Sequence, residues 1–460
     1  MTVSQQGDTS KSRNNSFKQE NASTKRRSLD VLVWGASGFT GKLVCEYLLN
    51  QYGVQGDLRW AIAGRNRAKL EALRDQLGIK ASALPIFMGE CDKEKTLRKL
   101  ASSTRVIITT VGPYALYGSK LVGACVEEGT HYCDLSGEVS WMKYIIDQYH
   151  ERARATGACI VHSCGFDSMP MDLGVWWLQN AIKEKHGIYA SSITMLVEAT
   201  KGGASGGTIS SAFNALVDAL NNKKSSDILA NPYSLNPVQK NVEEHNQARA
   251  LPPSPDQRGV KYNEIAKQWT APFVMAGINT RNVRRSHALA GHPYGLSFEY
   301  HEALMTGSGI SGAIKGFLVT LGLGAFVLAA CTSFTRWLLL RFFLPAPGQG
   351  PTRKAREAGF FRLGFFASVP NRSSQSPQNT QQQVPIVVRA HVAANSDPGY
   401  GSTSKMLAEA GVCLAQDQLT CGGGVHTPSS AMAGALLRRL QTRAELIFEL
   451  KDSPKPPDIA

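Results

Sequence analysis

Three glycines spaced three residues apart, Gly35, Gly38 and Gly41, lie between the apolar run Val31-Leu32-Val33-Trp34 and an apparent helix over 42–49. The chemistry this spacing serves is the holding of a pyrophosphate. Glycine lets the chain turn sharply and leaves backbone N–H groups open to phosphate with no Cβ in the way. Strand, tight turn and helix start in that order read Gly35-Ala36-Ser37-Gly38-Phe39-Thr40-Gly41 as a dinucleotide cradle. The next strand, 58–64, ends where NAD enzymes place an acid for the ribose 2′-OH. Here Arg65-Asn66-Arg67 follows, with Lys69 a turn beyond Arg65. A guanidinium there suits a 2′-phosphate, so the expected cofactor is NADP(H) in preference to NAD(H). A solvated basic helix start is the plain alternative.

Further candidates stand where later strands end. The third strand ends near Glu90-Cys91-Asp92, which puts Asp92 at the cofactor edge. The fourth runs into Val111-Gly112-Pro113, whose backbone should border the nicotinamide ribose. Tyr114 and Tyr117 follow, and a phenol there would donate to a developing oxyanion or enolate; loop anchoring is its structural alternative. Asp134 ends the fifth strand and is placed to polarise a neighbour. Cys164 reads as a small buried thiol rather than a nucleophile, and Asp167 as a helix cap. The nine cysteines are scattered without a C-x-x-C pair, so they read as reduced thiols and predict no metal site.

The elements that must position these residues alternate. Strands near 84–88, 105–111, 131–135 and 158–162 are separated by helices over 93–102, 118–129 and 139–156. That pattern predicts an α/β fold, a doubly wound parallel sheet whose ligand edge lies at the strands' carboxyl ends. After about residue 190 the pattern changes, with strands expected over 193–199, 295–300 and 384–392 and helices over 208–220 and 402–414. Residues 221–258 read as a surface excursion, and 371–383 as a low-complexity loop.

A chain of 460 residues calls for two domains. Its net charge of +14 would suit nucleic acid, an anionic membrane or phosphorylated ligands, but no nucleic-acid motif is present. The polar tail 1–28 reads as disordered and lacks a secretory core. Residues 316–335 carry no charge and are bounded by Lys315 and Arg336, with Trp337 and Phe342-Phe343 beyond. This apolar insert, 316–345, is long enough to meet a bilayer. A single span would split a domain that folds as one, so a hairpin or interfacial helix is expected. A buried core helix or a homodimer contact stays open as the alternative.

Together these residues resemble the saccharopine dehydrogenase-like oxidoreductases, related to the trans-acting enoyl reductases. The resemblance runs through Val111-Gly-Pro-Tyr-Ala-Leu-Tyr-Gly118, the motif 129–138 ending in Glu138, Ser163-Cys-Gly-Phe-Asp-Ser-Met-Pro170, Val283-Arg-Arg-Ser286, Asp397-Pro-Gly-Tyr400 and the motif 424–431. It implies a Rossmann domain over 29–182, an inserted second α+β domain over 183–420, and a segment 421–460 that packs back on the first. Relatives with an apolar insert associate with lipid droplets and other membranes. The resemblance therefore implies a lipid droplet or the cytosolic face of a membrane as location, ahead of the cytoplasm or the mitochondrion, and a hydrophobic or lipid-like substrate. The competing reading is a membrane-associated protein whose nucleotide site does no catalysis.

Overall fold

The computed structural model describes residues 27–203, 206–237, 246, 249–338, 349–371, 384–419 and 421–451. The tail up to residue 26, most of the loop 371–383 and the 339–345 part of the expected insert lie outside the described residues. Two seven-stranded sheets make the frame. The first is built from β1 (Leu29–Trp34), β2 (Trp60–Gly64), β3 (Ile86–Met88), β4 (Thr104–Thr109), β5 (His131–Cys133) and β6 (Cys159–Val161). β1 is buried along its whole length, as a strand covered by helices on both faces must be. Val31 pairs with Trp60 on one side and Val106 on the other.

The second sheet holds β7 (Ser192–Lys201), β8 (Lys261–Asn263), β9 (Gln268–Ala271), β10 (Glu299–Gly307), β11 (Phe360–Val369) and β12 (Ile386–Ala394). β13 (Gly424–His426) then returns to the first sheet, and β14 (Ile447–Lys451) to the second. The first sheet has the order β13-β6-β5-β4-β1-β2-β3 and every pairing is parallel. This is the doubly wound Rossmann order with one added edge strand. The second sheet, β14-β12-β11-β7-β10-β9-β8, is antiparallel except for β7 beside β10.

The chain returns to the first domain earlier than residue 421. The Thr403–Gln416 helix already lies on β1, β4 and β5. Its Gly411 is needed there: a Cβ would stand 2.3 Å from Ile108 Cδ1. The same helix carries Glu409, fully buried, which accepts from Tyr47 at 2.8 Å, Tyr52 at 2.7 Å and Arg439 at 3.3 Å. That node joins the Phe39–Tyr52 and Pro428–Thr442 helices to it. The segment from 421 to 451 does not pack on the first domain alone, because β14 bonds to β12. The boundary at 420 thus gives way to two crossings, near 402 and after 442.

Other boundaries shift for local reasons. β4 stops at Thr109, and a short helix, Tyr114–Tyr117, follows where a loop was expected. β10 starts at Glu299 rather than 295, since Gly295 sits in a turn at φ +90°. The excursion 221–258 contains a helix, Lys223–Ala230. It is fastened by three buried arginines of the Ala276–Leu289 helix. Arg281 bonds to Leu229 O and Asp256, Arg284 to Pro232 O and Ser254 O, and Arg285 to Leu235 O and Val425 O. Carbonyl oxygens, which carry partial negative charge, satisfy most of these forks. Burial alone pushes Arg285 down to about 9.

The apolar insert is one helix, Gly309–Cys331, continued by a short helix, Ser333–Leu338. Only 11% of its most apolar stretch is buried, so the helix is not a core helix of this chain. Ile310, Ile314, Phe317, Leu318, Leu321 and Leu328 are exposed along it.

Candidate active site

The glycine cradle forms where β1 ends. Gly35 is at φ +85°, and a Cβ on it would lie 2.5 Å from Val111 Cγ2. At Gly41 a Cβ would meet Gly35 O at 2.3 Å and Ala36 Cα at 2.8 Å. At Gly41 the contact is with backbone, which no side-chain rotation can relieve, and at Gly35 the positive φ itself favours glycine. The Phe39–Tyr52 helix starts after Gly38 with no side-chain cap and no acid in its first turn. Its leading N–H groups and the helix dipole are therefore available to an anion. These features fit a pyrophosphate. Ala36 is buried, Ser37 half-buried and Gly38 exposed, and Thr40 lines the cleft described below. Phe39 reaches the second domain, edge-on to Tyr400 at 5.1 Å.

Arg65 follows β2 directly and is exposed, with no ion pair among the described residues. Arg67 by contrast pairs with Glu71 at 2.9 Å. Asn66 caps the Arg67–Gln76 helix by accepting from Lys69 N at 3.0 Å, which is a structural use of its side chain. Asp92 is exposed, and its carbonyl accepts from Lys120 at 3.1 Å. Val111, Gly112 and Pro113 follow β4 as expected, with a cis peptide between the last two.

A cavity of about 520 Å³ opens at the carboxyl ends of the parallel strands. On one side stand Thr40, Thr110, Gly112, Glu138, Ser163 and Asp167 of the first domain. On the other stand Thr200, Gly202, Gly203, Ser211, Tyr400 and their neighbours. Asp397 holds that far wall. Its carboxylate accepts from Gly203 N at 3.1 Å, Tyr400 N at 2.7 Å and Gly401 N at 3.2 Å. Gly202 must be glycine, since a Cβ would meet Asp397 Oδ1 at 2.4 Å.

The two tyrosines fall differently from expectation. Tyr117 is 44% exposed and lies outside the cleft lining. Tyr114 touches the cleft, but its hydroxyl accepts from Leu135 N at 3.2 Å and donates toward Thr109 O at 3.4 Å. Its ring stacks on Trp141 at 5.5 Å. Both bonding directions of that phenol are spent on the loop. Asp167 is not the cap it was expected to be: Ser168 is the cap position of the Met169–His186 helix, and no side chain bonds there. Asp167 is instead half-buried in the cleft wall, and burial pushes its carboxyl up to about 6.

Asp134 does polarise neighbours. It is fully buried and accepts from Tyr132 at 2.9 Å, His162 Nδ1 at 2.8 Å, Ser136 N at 2.9 Å and Ser163 N at 3.1 Å. Tyr132 belongs to this network through its hydroxyl. Cys164 is buried, with its thiol pushed up by burial, as a packing thiol should be.

Three cleft residues were not singled out from the sequence. Glu138 grips the start of the Tyr114–Tyr117 helix, accepting from Tyr114 N and Ala115 N at 2.8 Å each, while burial raises its pKa. Ser163 sits at φ +58°, donates to Ser136 O at 2.6 Å and receives Asn282 Nδ2 at 3.2 Å. Ser211 reaches the cleft from the Gly206–Asn221 helix. The motif ending in Glu138 was a signal for the first; contacts across more than a hundred residues, as between Ser163 and Asn282, leave no local trace.

The family model for the saccharopine dehydrogenase NADP-binding domain matches residues 31–161. A provisionally named trans-acting enoyl reductase of Mycobacterium tuberculosis is 38% identical over 90% of this chain and 96% of its own. A trans-acting enoyl reductase of Mycobacterium ulcerans is 35% identical over 91% of this chain and 97% of its own. Among solved structures, apo saccharopine dehydrogenase from Saccharomyces cerevisiae is 12% identical, with a TM-score of 0.49 over 92% of this chain and 99% of that one.

Proposed function

This chain belongs to the NADP-binding, saccharopine dehydrogenase-like oxidoreductases related to trans-acting enoyl reductases, and from that premise we propose that it reduces the polarised carbon–carbon double bond of a lipid-like substrate. The observation that carries the proposal is the cleft: it runs from the glycine cradle and Gly112 to an acid, Asp167, with the second domain as its far wall. Residues 35–41 would hold NADPH, with Arg65 at its 2′-phosphate, and the cofactor would supply the hydride that reduces the β-carbon of an enoyl group. The chain's own part is to deliver a proton to the α-carbon and to exclude water. Asp167, with a pKa near 6, is the group whose protonated fraction near neutrality suits that transfer. Asp397 and Glu138 position the walls through backbone N–H groups and stay out of the reaction.

The apolar helix supports a membrane or lipid-droplet surface as the place of work. It is packed on the second domain through β9 and β10, and Phe326 stacks with Phe213 of the Gly206–Asn221 helix at 5.9 Å. That second helix lines the cleft with Ser211 and Ala215, so an acyl chain leaving a lipid surface would meet the cleft's own wall. β10 and β11 flank the insert, and both bond to β7. A single crossing would put these two strands on opposite sides of a membrane, which favours an interfacial helix or a hairpin over a span.

The test is Asp167→Asn with enoyl thioesters of long and short chain. Turnover should fall ~100-fold with NADPH affinity unchanged. Wild-type turnover should decline as pH rises through about 6, because the acid form does the work, and that decline should vanish in the variant. Equal turnover in both proteins at every pH would remove Asp167 from the reaction.

A further inference from the structure

On the far side of the first sheet, Cys159 Sγ and Cys421 Sγ stand 3.7 Å apart, although 262 residues separate them in sequence. A ring nitrogen of His426 joins them, and the three donor atoms lie within 4.8 Å of one another. The topology makes this cluster. β13 pairs with β6 so that Gly424 stands beside Cys159 and His426 beside Val161. Cys159 opens β6, at the end of the strands opposite the cleft, and none of the three residues lines that cleft.

The donor set and spacing fit a tetrahedral ion. A zinc ion bound at about 2.3 Å to each of two thiolates holds the sulfurs about 3.8 Å apart. The His426 Nδ1 lies 3.5 Å from Ser430 Oγ and its Nε2 3.2 Å from Gly422 O. A proton on Nε2 facing the Gly422 carbonyl orients the ring and leaves the Nδ1 lone pair as the ligand, the arrangement by which metal-binding histidines are held. Cys421 is half-buried, so an ion can enter from solvent.

We propose that Cys159, Cys421 and His426 form a zinc-type metal clip that fastens the edge strand β13, and with it the C-terminal segment, to β6. Two thiol protons leave for solvent when the ion binds, and two thiolates balance its two charges. Water completes the tetrahedron. A disulfide between the same sulfurs would leave the histidine without a role, and it is the competing outcome.

The full-length protein is stripped with chelator under reducing conditions, loaded with zinc or cobalt(II) alone, desalted and assayed for metal. About one ion per chain should remain, and the cobalt form should show thiolate-to-metal charge-transfer absorption. Cys421→Ser and His426→Ala should each bring retained metal below about a tenth of wild type while NADPH binding persists, which certifies the fold. The metal-loaded wild type should unfold at a higher temperature than the stripped protein. The proposal is overturned if wild type retains no metal, or if both variants retain as much as wild type. It is also overturned if mild oxidation removes two titratable thiols from the stripped protein and zinc added beforehand does not protect them. The cobalt spectrum of wild type decides the matter even where a variant fails to bind NADPH.

Discussion

We propose that cofactor choice turns on Arg65. It is exposed just past β2 with no ion pair among the described residues, whereas Arg67 is engaged by Glu71 and Asn66 by the helix start. Arg65→Glu removes a charge-assisted fork and adds repulsion, so NADPH affinity should drop by about a hundredfold or more with NADH affinity little changed. Isothermal titration with each cofactor checks this; an equal loss for both would take the 2′-phosphate away from Arg65. Glu302 makes a second prediction. It is buried, accepts from Asn279 at 2.9 Å and Tyr300 at 2.8 Å, and burial lifts its pKa to about 8. The folded state therefore holds a proton that the unfolded chain gives up near pH 4.5. Stability is fully present below that value and falls as pH rises through about 8. Glu302→Gln should flatten the melting-temperature profile between about pH 5 and 8, the span between the two pKa values; an unchanged slope would assign the loss to other groups.

At the scale of elements, the glycine turn was legible because its requirements are local. A positive φ and a missing Cβ leave a mark within seven residues, and the structure meets it at Gly35 and Gly41. Gly41→Val should abolish binding of both cofactors, since a Cβ there meets backbone at 2.3 Å; retained binding by either would contradict the cradle. The parallel strands were legible for the same reason, each being a short β-branched run between helices. What periodicity could not convey is partnership over distance. The arginines 281, 284 and 285 are buried because the excursion folds over them, a partnership with no local mark in the sequence. Tyr117 and Tyr114 had the right position in the chain, but a short helix gripped by Glu138 turns one outward and spends the other's hydroxyl. The apolar helix was visible by composition, and its exposure came only from the fold. Replacing Phe317, Leu318, Leu321 and Leu328 with Gln should abolish flotation with phospholipid vesicles and leave NADPH binding intact. Continued flotation would place the membrane contact elsewhere.

At the scale of the molecule, the chain crosses between its two sheets more than once. The Met169–His186 helix leads from the first sheet to the second, and β13 and β14 return to one sheet each. Asp172 marks the seam, accepting from Ser429 N at 2.7 Å and Ser429 Oγ at 2.8 Å, with Ser286 donating as well. Both walls of the cleft thus belong to one interlocked frame, which suits a reaction that needs cofactor and substrate face to face. The central claim is that this cleft performs a reduction. It is tested most directly with NADPH deuterated on the transferable face of the nicotinamide, a long-chain enoyl thioester and mass spectrometry of the product. The account predicts one deuterium on the β-carbon for each NADPH oxidised, lost together with cofactor binding in Gly41→Val. Tight NADPH binding with no deuterium in any enoyl or keto lipid would contradict it and leave a nucleotide-binding protein without this chemistry.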